Sequence, residues 1–268
     1  MHLQSALLGL VQGITEFLPV SSSGHLVIAQ RFFGWSEPAL SFAVMLHLAT
    51  MAATLIFFRD DIVKTAREWF KGLFSVGSRC LPGWRYGWSV IAGTLATGAV
   101  AFVIKPVAES LFSSALFVGF ALLVTGFVLH YGSRISPANL PVSLPSALKV
   151  GIAQGLAIFP GISRSGSTIV IGLRAGLSRE EAFTFSFLLS LPAIFGAAVL
   201  EVIEAGGLSS VLSSLPKGWW IGMAVAFGSG LLALSILRRV IVRGRLGFFS
   251  IYCIMAGLFV VALNLIRG

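Results

Sequence analysis

Apolar residues run along the chain in blocks of near-spanning length, separated by short clusters of charge or of proline and glycine. Six blocks, roughly 39–58, 84–104, 114–131, 182–203, 218–237 and 247–266, predict membrane-crossing helices, because about 20 apolar residues traverse a bilayer core. Their ends carry Arg59-Asp60-Asp61, Lys105-Pro106, Pro216-Lys217 and Arg238-Arg239. Two further blocks, 3–34 and 147–174, are apolar but broken midway by Ser21-Ser22-Ser23-Gly24 and Ser163-Arg164-Ser165-Gly166. Each half is too short to cross. Irregular backbone survives at membrane depth only inside protein or beside a water-filled cavity, so both blocks are expected to be re-entrant helical hairpins. The charged and aromatic stretch 59–75 reads as an amphipathic helix lying in the interface.

The two broken blocks are copies of each other. A shift of roughly 142 residues aligns Gly9 with Gly151, Gln12 with Gln154, Gly13 with Gly155 and Phe17 with Phe159. The match continues through Ser21/Ser163, Ser23/Ser165, Gly24/Gly166, Gly34/Gly176 and Ser36/Ser178. After a one-residue slip it reaches Ala39/Ala182, Phe42/Phe185, Leu46/Leu189 and Leu48/Leu191. Each unit, about 1–135 and about 145–268, holds one hairpin and three crossings. Three is odd, so the second unit starts on the opposite side of the membrane and the repeat is inverted. The expected architecture is a single all-α polytopic membrane domain of six transmembrane helices and two hairpins.

Basic residues orient it. Arg59, Lys64, Arg67, Lys71, Arg79, Arg134, Lys149, Arg174, Arg238, Arg239, Arg243 and Arg245 fall on one side, against Arg31, Lys105, Lys217 and Arg267 on the other. The positive-inside rule makes the first side cytoplasmic and both termini external, with the hairpin tips meeting near mid-bilayer. Composition agrees with a bilayer as solvent: of 268 residues 56% are hydrophobic and 11% charged, with a mean hydropathy of +0.94. The net charge of +9 therefore speaks for anionic lipid and gives no reason to invoke nucleic acid. Cys80 and Cys253 form neither a metal-ligand nor a redox pattern, and no removed signal peptide is expected.

Against this background Glu16, His25 and Arg164 stand out, because ionisable groups inside apolar hairpins are costly and ordinarily pair or line a functional cavity. The breaks are followed by short helices beginning near Gly24 and Gly166. Their N-termini present free N–H groups and a partial positive charge that suit an anion. With the bidentate fork of Arg164, a phosphate is the natural guest. Ser21, Ser23, Gly24, Ser163, Ser165, Gly166 and Thr168 are the candidate groups around it. Ser22 can attack phosphorus with His25 taking or relaying the proton. Glu16, with Gln12, can hold a divalent cation, magnesium or calcium, or Glu16 can orient His25. Whether Ser22, His25 or water attacks is left open. Each feature also has an ordinary structural reading: a serine run before a helix is an N-cap, and a lone Glu or Arg in an apolar segment is the other's ion-pair partner. Their joint occurrence with His25 on two repeat-related tips favours a site. His47 is expected to make a helix-packing hydrogen bond, and His2 and His130 to be solvated at the interfaces.

The runs Gly-Ile-Thr-Glu16-Phe-Leu-Pro-Val-Ser-Ser-Ser-Gly-His25 and Pro160-Gly-Ile-Ser-Arg164-Ser-Gly-Ser-Thr168 resemble the two signatures of the undecaprenyl-diphosphate phosphatases of the BacA-type, bacitracin-resistance family. Gly176-Leu-Ser-Arg-Glu-Glu-Ala-Phe-Thr-Phe-Ser-Phe-Leu-Leu and Pro192 extend the likeness over nearly the whole chain. The resemblance implies removal of the terminal phosphate of a lipid diphosphate in the bacterial inner membrane, regenerating a carrier for cell-wall precursors. It also implies a divalent cation, a site open to the outer face, and Glu16, Ser22, His25 and Arg164 as the functional set. The family's first motif position is Glu or Gln; here it is Gln12, one charged ligand fewer. A homodimer is compatible with this reading. A polyprenyl-phosphate or anion transporter on the same inverted repeat is the alternative, but a carrier has no use for a Ser/His/Glu group beside its anion site. A phosphatidic-acid-type phosphatase is excluded, since Val170 stands where its second His belongs and its Lys-x6-Arg-Pro run is missing.

Overall fold

The computed structural model describes residues 2–33, 40–112 and 114–267, and among them every regular element is a helix, joined by short loops that include one isolated bridge between Leu140 and Leu177. Two helix pairs surround the polar breaks: α1 (His2–Phe17) with α2 (Ser22–Phe33), and α7 (Leu144–Leu156) with α8 (Arg164–Arg174). Five helices are long and apolar enough to cross a membrane: α5 (Pro82–Leu111), α6 (Ala115–Ser133), α9 (Arg179–Glu204), α11 (Trp219–Val242) and α12 (Gly247–Arg267). The block expected at 39–58 is α3 (Leu40–Phe57), which joins α4 (Arg59–Phe74) through a bend of 76° at Phe58 and makes up to six spans. Helix α4 lies where the amphipathic stretch was expected. A short α10 (Leu208–Ser213) follows α9, and a 3₁₀ turn spans Val76–Cys80. The pairings of Gly34, Ser36 and Ala39 and the side chains of Arg31 and Arg267 lie outside the described residues.

Local chemistry sets the helix ends. Ser114, Ser143, Ser163 and Ser178 each cap a helix with the side-chain oxygen, Ser143 in a reciprocal capping box with Ser146. Proline opens α5 and α7, where the missing N–H costs nothing. One expected boundary is displaced. Lys105-Pro106 does not end α5, which continues to Leu111. Lys105 pairs with Glu109 one turn on and with Glu204 at the end of α9 (Nζ–Oε1 2.7 Å), so the charge is satisfied without leaving the helix.

Small residues bring the helices together, as bilayer packing requires when lipid offers no hydrophobic drive between them. A Cβ on Gly9 of α1 would overlap the carbonyl of Gly222 on α11, and one on Gly13 would meet Ala226 and Ser229. In the other half, a Cβ on Gly151 of α7 would overlap the carbonyl of Gly93 on α5, and one on Gly155 would meet Thr97 and Val100. Helices α6 and α12 pack through Gly126 against Ser250 and Ile254, and through Gly257 against Gly119 and Leu123. Between the halves lies an aromatic core: Phe17, Phe58, Phe183 and Phe187 have ring centroids 5.0–6.0 Å apart in four pairs, all side chains buried. Phe17 of this core directly follows Glu16 in the chain.

Candidate active site

The first break follows directly from its residues. Helix α1 ends at Phe17, before Pro19, whose ring cannot continue it. Ser21 then takes a positive φ of 70° and its Oγ accepts from the Gly24 amide (3.4 Å), starting α2. The same Oγ accepts from the Gly161 amide of the second break (3.1 Å), so the two tips are stitched together. Gly24 itself faces the Gly161 backbone too closely for a larger residue to fit easily. In the second tip Ser163 caps α8 by accepting from the Gly166 amide (3.1 Å), and its own amide donates to Thr125 on α6. Ser23 lies 3.4 Å from Ser21, Ser165 lies 3.4 Å from Ser163 and donates to the Leu18 carbonyl (3.4 Å), and Thr168 is fully buried against Ser186 of α9. For Ser21 and Ser163 the N-cap reading therefore holds, and Ser165 and Thr168 are bound up in scaffold contacts.

Glu16 is the centre of the cluster. Its carboxylate is buried in the last turn of α1 and collects every neighbouring donor. Arg164 grips Oε1 through Nη2. Ser22 donates to Oε2 at 2.6 Å, and Gln12, one turn earlier on α1, donates to the same oxygen at 3.0 Å. A buried carboxylate without such partners would carry a large desolvation penalty, so the four groups form one interdependent unit. Two atoms in it are left open among the described residues: Nη1 of Arg164 and Oε1 of Gln12 are buried with no hydrogen-bond partner. Orphaned buried groups are rare in folded proteins and call for a partner such as a water, an ion or a ligand. A donor of that kind calls for an anion, and an acceptor for a cation or a hydroxyl.

Ser22 and Arg164 both bond Glu16. His25 does not join them. Its Nδ1 lies 2.8 Å from the Ser21 carbonyl and its Nε2 lies 2.7 Å from the Tyr252 hydroxyl of α12, with the two rings stacked at 5.6 Å. No contact of His25 with Ser22 or Glu16 occurs in this geometry. Two residues were missed. His47, expected only to pack helices, does bond the Ala43 carbonyl of its own helix (2.8 Å), but its Nε2 stands 3.5 Å from Glu16 Oε2. Its polarity amid the apolar run of α3 was the available signal. Tyr252 carried none beyond being the one hydroxylated aromatic of α12.

The site holds one carboxylate and one free amide oxygen, and no group of three His, Cys, Asp or Glu side chains gathers anywhere among the described residues. That donor set is too small for an all-protein cage. It does fit a hard cation that takes its remaining oxygens from a phosphorylated ligand and from water.

Fold and site together define a polytopic, all-helical membrane protein with a buried Glu–Arg–Ser centre at the junction of two broken helix pairs. Residues 5–259 match the family described as bacitracin resistance protein BacA, and the chain belongs to that family. It is similar to the undecaprenyl-diphosphatase of Methanosphaera stadtmanae, 39% identical over 98% of both chains. It is likewise similar to those of Thermomicrobium roseum (40% identical, 95% of each chain) and Korarchaeum cryptofilum (38% identical, 97% of this chain and 98% of the relative).

Proposed function

We propose that this protein hydrolyses undecaprenyl diphosphate to undecaprenyl phosphate and inorganic phosphate in the inner membrane of a bacterium, recycling the lipid carrier of cell-wall synthesis. The observation that carries the reading is the open half of the Arg164 fork: one nitrogen is held by Glu16, while the other is buried and unpartnered beside the Ser22 hydroxyl's carboxylate. A terminal phosphate bound there is clamped by a fixed guanidinium rather than by solvent. The family and the names of its relatives agree with that substrate. A carrier would need the anion clamp alone and would gain nothing from a hydroxyl already hydrogen-bonded to a buried carboxylate.

The chemistry runs in two steps. The Ser22 Oγ forms a bond to the terminal phosphorus as the bond from that phosphorus to the bridging oxygen breaks, and undecaprenyl phosphate leaves with the electron pair. The Ser22 proton goes to Glu16 Oε2, its hydrogen-bond acceptor at 2.6 Å. Water then attacks the phosphoserine phosphorus as the Oγ–P bond breaks; Glu16 returns its proton to the Ser22 Oγ, and both of the water's protons leave on the inorganic phosphate released. In this geometry Glu16 takes the part that the sequence offered to His25, and His25 is left to serve the second step from the Tyr252 side. Arg164 neutralises charge on the transferred group throughout. When a divalent cation, magnesium or calcium, is bound, Glu16 and Gln12 hold it and it withdraws charge from the phosphate oxygens. The caps of Ser21 and Ser163, with Ser23, Ser165, Gly24, Gly166 and Thr168, keep the two tips in register around the phosphate.

The architecture proposed for this site is the inverted repeat, with α1–α2 and α7–α8 as re-entrant hairpins. Support comes from packing that the repeat had not been asked to explain. The Gly9–Gly222 and Gly13–Ala226 contacts recur as Gly151–Gly93 and Gly155–Thr97, with α5 and α11 exchanged. The α6–α12 contact repeats itself with its two helices exchanged. Ion pairs support the grouping of the helix ends, Lys105 with Glu204 joining α5 and α9 at one end and Arg238 with Glu180 joining α11 and α9 at the other, and the excess of basic residues on the second side makes it the cytoplasmic one. Both termini are then external.

The test is phosphate release from undecaprenyl diphosphate by the purified protein, with and without chelator. Release by the wild type that falls with chelation, and is lost in Arg164→Ala, is the expected result; no release under either condition contradicts the reading.

A further inference from the structure

The contacts of His25 are built as carefully as those of Glu16, yet they point to a residue that the reaction has not so far used. The Ser21 carbonyl, 2.8 Å from Nδ1, can only accept, so Nδ1 carries the proton in this geometry. The neutral ring therefore presents a lone pair at Nε2, and the Tyr252 hydroxyl lies 2.7 Å from it. The tyrosine ring lies parallel to the imidazole, 14° between planes, which also fixes the imidazole's rotation. A hydrogen bond to each nitrogen leaves His25 a single orientation, and the Ser21 carbonyl sets its tautomer.

Tyr252 also marks a border. Along α12, Phe248, Ile251 and Met255 are exposed and apolar, and Tyr252 follows Ile251 directly with about half its surface exposed. Its hydroxyl reaches His25 while the residue stays about half exposed beside those apolar side chains, the amphipathic use for which tyrosine is suited. Glu16 is buried with Ser22 and Arg164 bonded to it, whereas His25 bonds the half-exposed Tyr252, so the site has a buried arm and a second, half-exposed arm.

We propose that Tyr252 is a positioning residue for His25 in the hydrolysis assigned above, its hydroxyl holding the Nε2 edge of an imidazole whose Nδ1–H form the Ser21 carbonyl sets. The proposal rests on that functional reading. Its content is distinct: the hydroxyl of Tyr252 acts through His25 and touches none of the reacting atoms. Partners that fix the tautomer and plane of a functional histidine ordinarily contribute about ten- to a hundredfold when they are lost.

Tyr252→Phe keeps the ring and removes only the hydroxyl. With undecaprenyl diphosphate as substrate, its kcat is expected to fall about tenfold with KM nearly unchanged. In a His25→Ala background the same change should have no further effect, because nothing remains to be positioned. The second readout is independent of turnover. The chain has four histidines, so ¹⁵N spectra of the His-labelled protein in detergent, assigned with His25→Asn, report the tautomer of each ring. The wild type should show His25 as Nδ1–H with its Nε2 signal shifted by an accepted hydrogen bond, and Tyr252→Phe should lose that shift while the Ser21 carbonyl keeps the tautomer. Turnover of Tyr252→Phe equal to wild type, or a loss that persists in full in the His25→Ala background, overturns the proposal. So does an unchanged Nε2 signal, which decides the matter if the His25→Ala enzyme is too slow to read. If the wild type itself releases no phosphate, the functional reading fails, while the spectrum still tests the Tyr252–His25 pairing separately.

Discussion

At the scale of single residues, the account turns on what each hydroxyl and each charged group is already bonded to. Ser21 and Ser22 are neighbours in sequence and opposites in role. Ser21 caps α2 and accepts from Gly161, whereas Ser22 points at Glu16. Ser21→Ala is expected to cost about 1 kcal/mol of stability through the lost cap and to leave most turnover, while Ser22→Ala should abolish it; thermal melts and phosphate release on both variants separate the two. Arg164→Lys should fail to rescue Arg164→Ala, with kcat down on the order of 10³-fold, because a point charge cannot hold Glu16 and a phosphate at once. Near-wild-type turnover of the lysine variant would mean that only the charge matters. Glu16, Arg164 and Ser22 were legible because charge inside an apolar run has few innocent explanations. His47 and Tyr252 were not. A single polar side chain on a full span has many ordinary uses, and only the meeting of α3 and α12 with the hairpin, far apart in sequence, gives these two their partners.

At the scale of helices, the apolar blocks located the five helices long and apolar enough to cross and the bent α3–α4 pair, and one expected helix end is displaced. Helix α5 ran past Lys105-Pro106 because its charge found Glu204 on another helix, a contact invisible to a local reading. The bend between α3 and α4 falls at Arg59-Asp60-Asp61, where a local reading does work, since those charges cannot follow α3 into the bilayer. Glycines give the sharpest test of the helix packing. Gly9→Ala pushes a Cβ into the backbone of Gly222 and is expected to lower the melting temperature, at a cost of about 1–3 kcal/mol. Gly98→Ala, on the same kind of helix with open space around it, is expected to raise it slightly through helix propensity, by up to about 1 kcal/mol. Equal behaviour of the two variants would mean that α1 and α11 do not pack as described.

At the scale of the whole molecule, the proposed inverted repeat has a counterpart in how the other helices pack, and the three crossings proposed for each unit make the orientation testable. With Cys80 and Cys253 replaced, single cysteines at the C-terminus and in 204–217 should react with an impermeant thiol reagent from outside, and those in 59–83 and 238–246 only from the cytoplasm. Labelling of the C-terminus and 238–246 from one side would remove the inverted repeat, and with it the reason for the two tips to meet at mid-membrane. The central claim is that this meeting point transfers a phosphoryl group through Ser22. The most direct measurement is a rapid quench with undecaprenyl diphosphate labelled with ³²P in its terminal phosphate. Label appearing first on Ser22 and then as inorganic phosphate, with both lost in Ser22→Ala, is the predicted result. Inorganic phosphate released at an undiminished rate by Ser22→Ala would contradict it.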